Sequence, residues 1–149
     1  MTPSLSSPST ATSPLYQRKD LAQVFLPVGQ MLQIDRVMQI ADGNIICEMD
    51  LPLHWVFKLH FPDDPIFPGC LMIEAAGQAV AIWGWHSGLR GKPRMARVDA
   101  EYKSPVTPQD GVLTLVATIR QKRGICLGSV EMRVGDRVAA TIRPVIAVV

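Results

Sequence analysis

Residues 69–86 (GCLMIEAAGQAVAIWGWH) constrain the fold more than any other stretch of this chain. The spacing predicts a helix, and Leu71, Ile73, Ala75, Ala76, Ala79, Val80, Ile82 and Trp83 make it apolar on nearly every side. A helix with one apolar stripe lies on a core, whereas a helix that is apolar all round must be covered all round. Ser87-Gly88 supplies a stop signal after it. The cover has to come from strands.

Strand signals occupy much of the remaining chain. Residues 31–40 and 44–51 read as a hairpin about the turn Ala41-Asp42-Gly43-Asn44. Residues 52–68 read as a loop with one helical turn near 55–59. After the helix, residues 94–103, 112–123, 125–134 and 137–149 read as an antiparallel meander, broken by the Pro-rich connection 104–111, by Gly124 and by Gly135-Asp136. A short helix is expected over 17–28, ending at Pro27. The whole is predicted to be an α+β domain in which an antiparallel sheet of five to six strands wraps one long helix. Such a sheet has an open edge, and pairing with a second copy is a common way to protect it, so a homodimer or an assembly of dimers is expected.

A chain of 149 residues fits one domain with a real core. Residues 16–149 are expected to form it. Residues 1–15 form a Ser/Thr/Pro-rich tail expected to be flexible, since it offers too little apolar surface to offset ordering. That tail lacks the basic start and apolar run of a secretory signal, and no apolar run approaches the ~20 residues of a membrane helix. Cys47, Cys70 and Cys126 are odd in number, scattered, and without metal-ligand spacing. Reduced thiols, a cytoplasmic location, and neither metal nor other cofactor are the expectation. A net charge of +2 is too small to argue for nucleic acid.

Just ahead of the buried helix, residues 60–74 (HFPDDPIFPGCLMIE) set a His and a Glu on either side of a proline-framed loop. The start of a helix adds free backbone N–H groups and a positive dipole end. A proton acceptor, a proton donor and a seat for developing negative charge suit elimination or addition beside a carbonyl. His60 is the candidate base, because imidazole titrates near neutrality. Glu74, where a carboxyl loses water, can hold a proton and pass it on. Gln78, one turn further along the same face, can orient that carboxyl. The amides of Gly69 and Cys70 can face an oxyanion. Phe61, Ile66, Phe67 and Pro68 are the candidate substrate-binding residues. His54 and His86 have no such frame and read as structural; Trp55, Phe57, Trp83 and Trp85 read as core or tunnel lining. Cys70 reads as a small pocket-lining residue.

The stretch HFPDDPIFPGCLMIEAAGQ resembles the signature of the hot-dog-fold β-hydroxyacyl-acyl carrier protein dehydratases of bacterial fatty-acid synthesis. His60-Phe61 match its opening, Pro65, Pro68 and Gly69 its Pro-x-x-Pro-Gly turn, Glu74 its acid, and Gln78 the Gln one turn later. Residues 31–37 and 100–108 extend the similarity more loosely, over about 25–149. Asp63 departs from the pattern, standing where a Gly is usual. Glu74 sides with the family's general-purpose branch, while Asp64-Pro65 and Pro68-Gly69-Cys70-Leu71 look more like the branch that also isomerises the double bond. The resemblance implies a hot-dog fold and dehydration of 3-hydroxyacyl thioesters carried on an acyl carrier protein, in fatty-acid, polyketide or related synthesis. It also implies that His60 of one subunit faces Glu74 of another.

Arg90, Lys92, Arg94 and Arg97 cluster after the helix, and Arg120, Lys122 and Arg123 end a strand. These charges can steer an acidic carrier protein or hold a phosphopantetheine phosphate, or simply solvate a strand face. Two other readings stay open: a hot-dog acyl-thioesterase, which needs a positioned water and no base at His60, and a non-catalytic acyl-binding scaffold, which needs neither His60 nor Glu74.

Overall fold

The computed structural model describes residues 13–149; residues 1–12 of the expected tail lie outside that range. The described chain runs β1 (Tyr16–Gln17), a 3-10 turn (Arg18–Gln23), a shorter one (Gly29–Met31), β2 (Arg36–Ala41) and β3 (Asn44–Asp50). A third 3-10 turn (Trp55–Lys58) leads to α1 (Gly69–His86) and β4 (Pro93–Tyr102). A fourth (Pro108–Asp110) precedes β5 (Val112–Lys122), β6 (Ile125–Val134) and β7 (Arg137–Val148). The strands form one antiparallel sheet in the order β1-β2-β3-β5-β6-β7-β4. This is the hot-dog fold: the sheet is the wrapping and α1 is the filling.

The helix lies where its composition requires. From Met72 to Gly84 every residue except Ile73 and Glu74 is buried. Facing it, β5 alternates cleanly, turning Leu113, Leu115, Ala117 and Ile119 inward. Val37, Ile45, Cys47, Met49, Val130, Met132, Ile142 and Ile146 are among the other strand residues of the core. Since β3 sits inside the sheet and β4 at its far edge, α1 carries the chain across the concave face from one to the other. It ends as expected, with Ser87 and Gly88 donating to the carbonyls of Trp83 and Trp85 and Gly88 at φ 105°. Trp83 Nε1 donates to the Ala41 carbonyl at 3.1 Å and ties the helix to the hairpin turn.

The lead-in departs from the sequence expectation. The helix expected over 17–28 is the 3-10 turn Arg18–Gln23, preceded by the two-residue β1, which makes seven strands against an expected five to six. The strand expected from residue 31 begins at Arg36. Long-range contacts take over here. The Arg18 guanidinium reaches the carbonyls of Leu32 (2.8 Å) and Gly29 (2.7 Å), and Gly29 turns the chain at φ 62°. The Gln33 N–H donates to a helix side chain instead of a strand.

One close approach sets the spacing between sheet and helix. A Cβ on Gly128 of β6 would stand 2.7 Å from Val80 Cγ2, and buried Val80 has little freedom to move. Gly128→Ala is therefore expected to destabilise the fold by about 1–3 kcal/mol through overpacking. Urea unfolding measures it, and an unchanged midpoint would show that the gap can open freely.

Candidate functional site

His60 is held by a tight loop. Its N–H donates to the Val56 carbonyl at 2.9 Å, carrying on from the turn Trp55–Lys58. Its carbonyl accepts from Ile66 N–H at 2.9 Å, and its ring Nδ1 lies 2.9 Å from the Ile66 carbonyl oxygen. A carbonyl only accepts, so Nδ1 carries the proton and Nε2 is left with its lone pair. Phe61 and Asp64 exchange two backbone bonds of 3.0 Å, which closes the loop tip. Asp63 at that tip keeps a negative φ, so the missing Gly imposes no left-handed strain. The His60–Phe61 peptide is cis, and the half-exposed Phe61 ring stacks on His60 at 3.9 Å between centroids.

The loop then enters α1. Pro65 and Ile66 are partly covered, and Pro68 is the buried N-cap. Leu71 and Met72 donate back to the Pro68 carbonyl, whereas the Gly69 and Cys70 amides precede the helical ladder. Phe67, expected to touch substrate, is only 2% exposed, with its ring edge-on to His54 and Phe57. Tyr102, at the end of β4, donates its hydroxyl to the Gly69 carbonyl at 2.8 Å. A Cβ at Gly69 would meet that ring at 2.6 Å, so only glycine admits the contact. Burial, with the adjacent Cys70 adding to it, pushes the Tyr102 phenol up from 10.0.

Glu74 is half-buried on α1, and Gln78 Nε2 donates to its Oε2 at 2.8 Å. The Gln78 amide is 3% exposed and all of its remaining partners are backbone groups. Its Nε2 also donates to the Met31 carbonyl (2.8 Å), and its Oε1 accepts from Gln33 N–H (2.8 Å). Glu74 and Gln78 open onto a groove walled by Phe25, Leu26, Pro27, Gly77, Met95 and Ile146. His60 does not line that groove: within one subunit the structure pairs Glu74 with Gln78 and leaves His60 elsewhere. A second groove shares Phe25, Ala81 and Pro93 with the first and runs on to Trp85, Leu89 and Arg90.

Sequence reasoning misses the inward links of His54. Val56 N–H donates to His54 Nδ1 at 3.1 Å, so the ring proton sits on Nε2, which lies 2.9 Å from Gln33 Oε1. Desolvation pushes the His54 imidazole below 6.5; Asp35 opposes the shift and Arg18 adds to it. Gln33 and Tyr102 lie in the segments 31–37 and 100–108 that resemble the family only loosely, and no local spacing singles either residue out. His86 bonds Tyr16 Oη at 2.9 Å. Among the described residues, no three His, Cys, Asp or Glu side chains cluster to hold a metal, and no helix is long and apolar enough to cross a membrane. Burial pushes up the thiols of Cys47 and Cys126, while Cys70 is exposed at the start of α1.

A family model described as a FabA-like domain matches residues 26–143. Among solved structures, a dehydratase heterocomplex, ApeI:P from Xenorhabdus doucetiae, aligns with TM-score 0.69 and 21% identity over 84% of this chain and 88% of that one. A mutant thioesterase from Staphylococcus aureus aligns with TM-score 0.63 and 15% identity over 75% and 90%. A mutant thioesterase from Pseudomonas aeruginosa gives 0.60 and 17% over 76% and 80%. These likenesses speak to the shared fold.

Two stability outcomes are expected. Gln78→Leu strands the Gln33 N–H in the interior and should cost about 1–3 kcal/mol in urea unfolding. The unfolded chain protonates His54 near 6.5 and the folded chain resists. Below that pH the unfolded state binds more protons, so stability falls as pH drops, until folded His54 is itself protonated. The His54 share of this slope should vanish in His54→Asn; identical slopes would contradict it.

Proposed function

Because the chain belongs to the FabA-like domain family, we propose that it removes water from 3-hydroxyacyl thioesters to give trans-2-enoyl thioesters. The observation that carries this reading is the bond from His60 Nδ1–H to the Ile66 carbonyl, which leaves Nε2 free to accept a proton. His60 Nε2 takes the C2 proton, and the electron pair moves toward the thioester oxygen. The Cys70 and Gly69 amides meet that charge; one such donor is typically worth about 3 kcal/mol in the transition state. Glu74 gives its proton to the C3 hydroxyl, which leaves as water while the C2–C3 double bond forms. Since Gln78 donates to Oε2, the transferable proton belongs on Oε1.

His60 and Glu74 meet across a dimer in this reading. Edge strand β4 is exposed along most of its length, with Met95, Val98 and Tyr102 uncovered, and pairing with a second copy would cover it. The Xenorhabdus dehydratase is itself described as a heterocomplex, which supports assembly in this fold. The two neighbouring grooves, which share Phe25, Ala81 and Pro93, lie along α1 from Glu74 to Trp85, about 16 Å at the helical rise per residue, and together would take an acyl chain of some length. In the dimer, Ile66 and Phe61, beside the His60 that a second copy brings up, would flank the entrance, and the basic residues Arg90, Lys92, Arg94 and Arg97 would receive an acyl carrier protein.

A second reading is hydrolysis. It is favoured by the Glu74–Gln78 pair lining a groove without His60, since a carboxylate with a held water suffices to cleave a thioester. Incubation with 3-hydroxyacyl and 2-enoyl thioesters separates the two. Interconversion of these with water lost or gained supports dehydration, and release of free thiol supports hydrolysis. His60→Ala should lower dehydration about 10²–10⁴-fold with the fold retained. Glu74→Gln should lower it similarly, because Gln keeps the shape but has no acidic proton. Full activity of His60→Ala would remove the proposed base.

A further inference from the structure

The amide of Gln78 holds Glu74, and it is itself held by two backbone groups of one loop, the Met31 carbonyl and the Gln33 N–H. That loop belongs to neither the helix nor the strands, so something else must fix it. Arg18 grips it from outside, through Gly29 and Leu32. The inner grip comes from the turn that carries His60. Trp55 Nε1 donates to the Gln30 carbonyl at 3.2 Å, and His54 Nε2–H donates to Gln33 Oε1 at 2.9 Å. Gln33, 2% exposed, spends its amide hydrogens on the carbonyls of Gln30 (3.0 Å) and Met31 (3.1 Å). The direction of every bond follows from one fixed end: Val56 N–H can only donate, so His54 Nδ1 accepts and Nε2 donates.

We propose that His54 is a positioning residue that holds the Glu74 carboxyl in place through Gln33, the 29–33 loop and Gln78. The inference rests on the reading of Glu74 as the proton donor. Aromatic neighbours clamp the His54 ring in the required orientation. It stacks on Trp55 at 5.3 Å and stands edge-on to Phe67 at 5.1 Å. Phe67 lies between the two prolines of the motif loop, so the same imidazole touches the segment that delivers His60 and the segment that aims Glu74.

Two substitutions separate the tie to Gln33 from the cap on Val56. His54→Asn keeps a capping acceptor for Val56 N–H but is too short to reach Gln33. His54→Gln restores a donor at the position of Nε2 and loses the cap. In H54N the kcat for 3-hydroxyacyl-thioester dehydration should fall about 10- to 100-fold with KM little changed, the size expected of a misplaced reacting group. Its Gln78 side-chain amide signals in 15N NMR should move and exchange faster with solvent. H54Q should bring both back toward the wild type. Wild-type kcat together with unmoved Gln78 signals in H54N overturns the proposal. Should H54N fail to fold, ring 15N shifts of the wild-type protein decide: a neutral His54 protonated on Nε2 supports the proposal, and one protonated on Nδ1 overturns it. A wild-type protein with no dehydratase activity defeats the reading of Glu74 as acid, while the Gln78 signals still report whether His54 holds the loop.

Discussion

Enclosing α1 within a single sheet is the constraint from which the rest of this structure follows. Apolar faces on all sides are satisfied by strands that curl around them, but the helix also carries Gln78 into the interior, 3% exposed. A buried amide without partners is costly, and the sheet cannot supply them, because strand backbones are committed to one another. The chain resolves this with an irregular stretch. Residues 29–35 forgo regular pairing, so the Gln33 N–H and the Met31 carbonyl are free to meet Gln78. What looks like an untidy entry into β2 is the counterpart of a polar residue inside the core.

This explains which parts of the fold are legible in the sequence. The helix bounds 69–86 and the strands after it follow from local periodicity and turn residues, and they stand as read, to within a residue or two. The motif places His60, Gly69, Glu74 and Gln78 in one segment, and the Glu74–Gln78 bond is the i, i+4 contact that helical spacing implies. The lead-in escapes such reading because its conformation depends on Arg18 and Gln78, partners 11 to 47 residues away. His54 reads as structural for want of a motif, and its link to Gln33 joins segments 21 residues apart, which no periodicity registers. Phe67 sits inside the motif loop but packs inward against His54 and Phe57, a choice of side that its place in the sequence does not reveal.

Dehydration and thioester hydrolysis make different demands on the same scaffold. In either proposed reaction the carboxyl on α1 and the amides at its N-terminus would be drawn on. Only elimination needs a second group that takes a proton from carbon. The loop around His60 suits that role, because two bonds between His60 and Ile66 fix the backbone and the ring tautomer together.

The contact between Tyr102 and Gly69 reaches further than its position at a sheet edge implies. The Gly69 carbonyl and the Cys70 N–H belong to one planar peptide unit, pointing in opposite directions. A phenol anchored on one end therefore clamps the plane, and by drawing electron density toward its own proton it makes the opposite N–H a more polar donor. With its ionisation deferred to more alkaline conditions, Tyr102 keeps that grip across the neutral range. The far strand of the sheet thus reaches, through a single amide, the electropositive end of the rod it encloses.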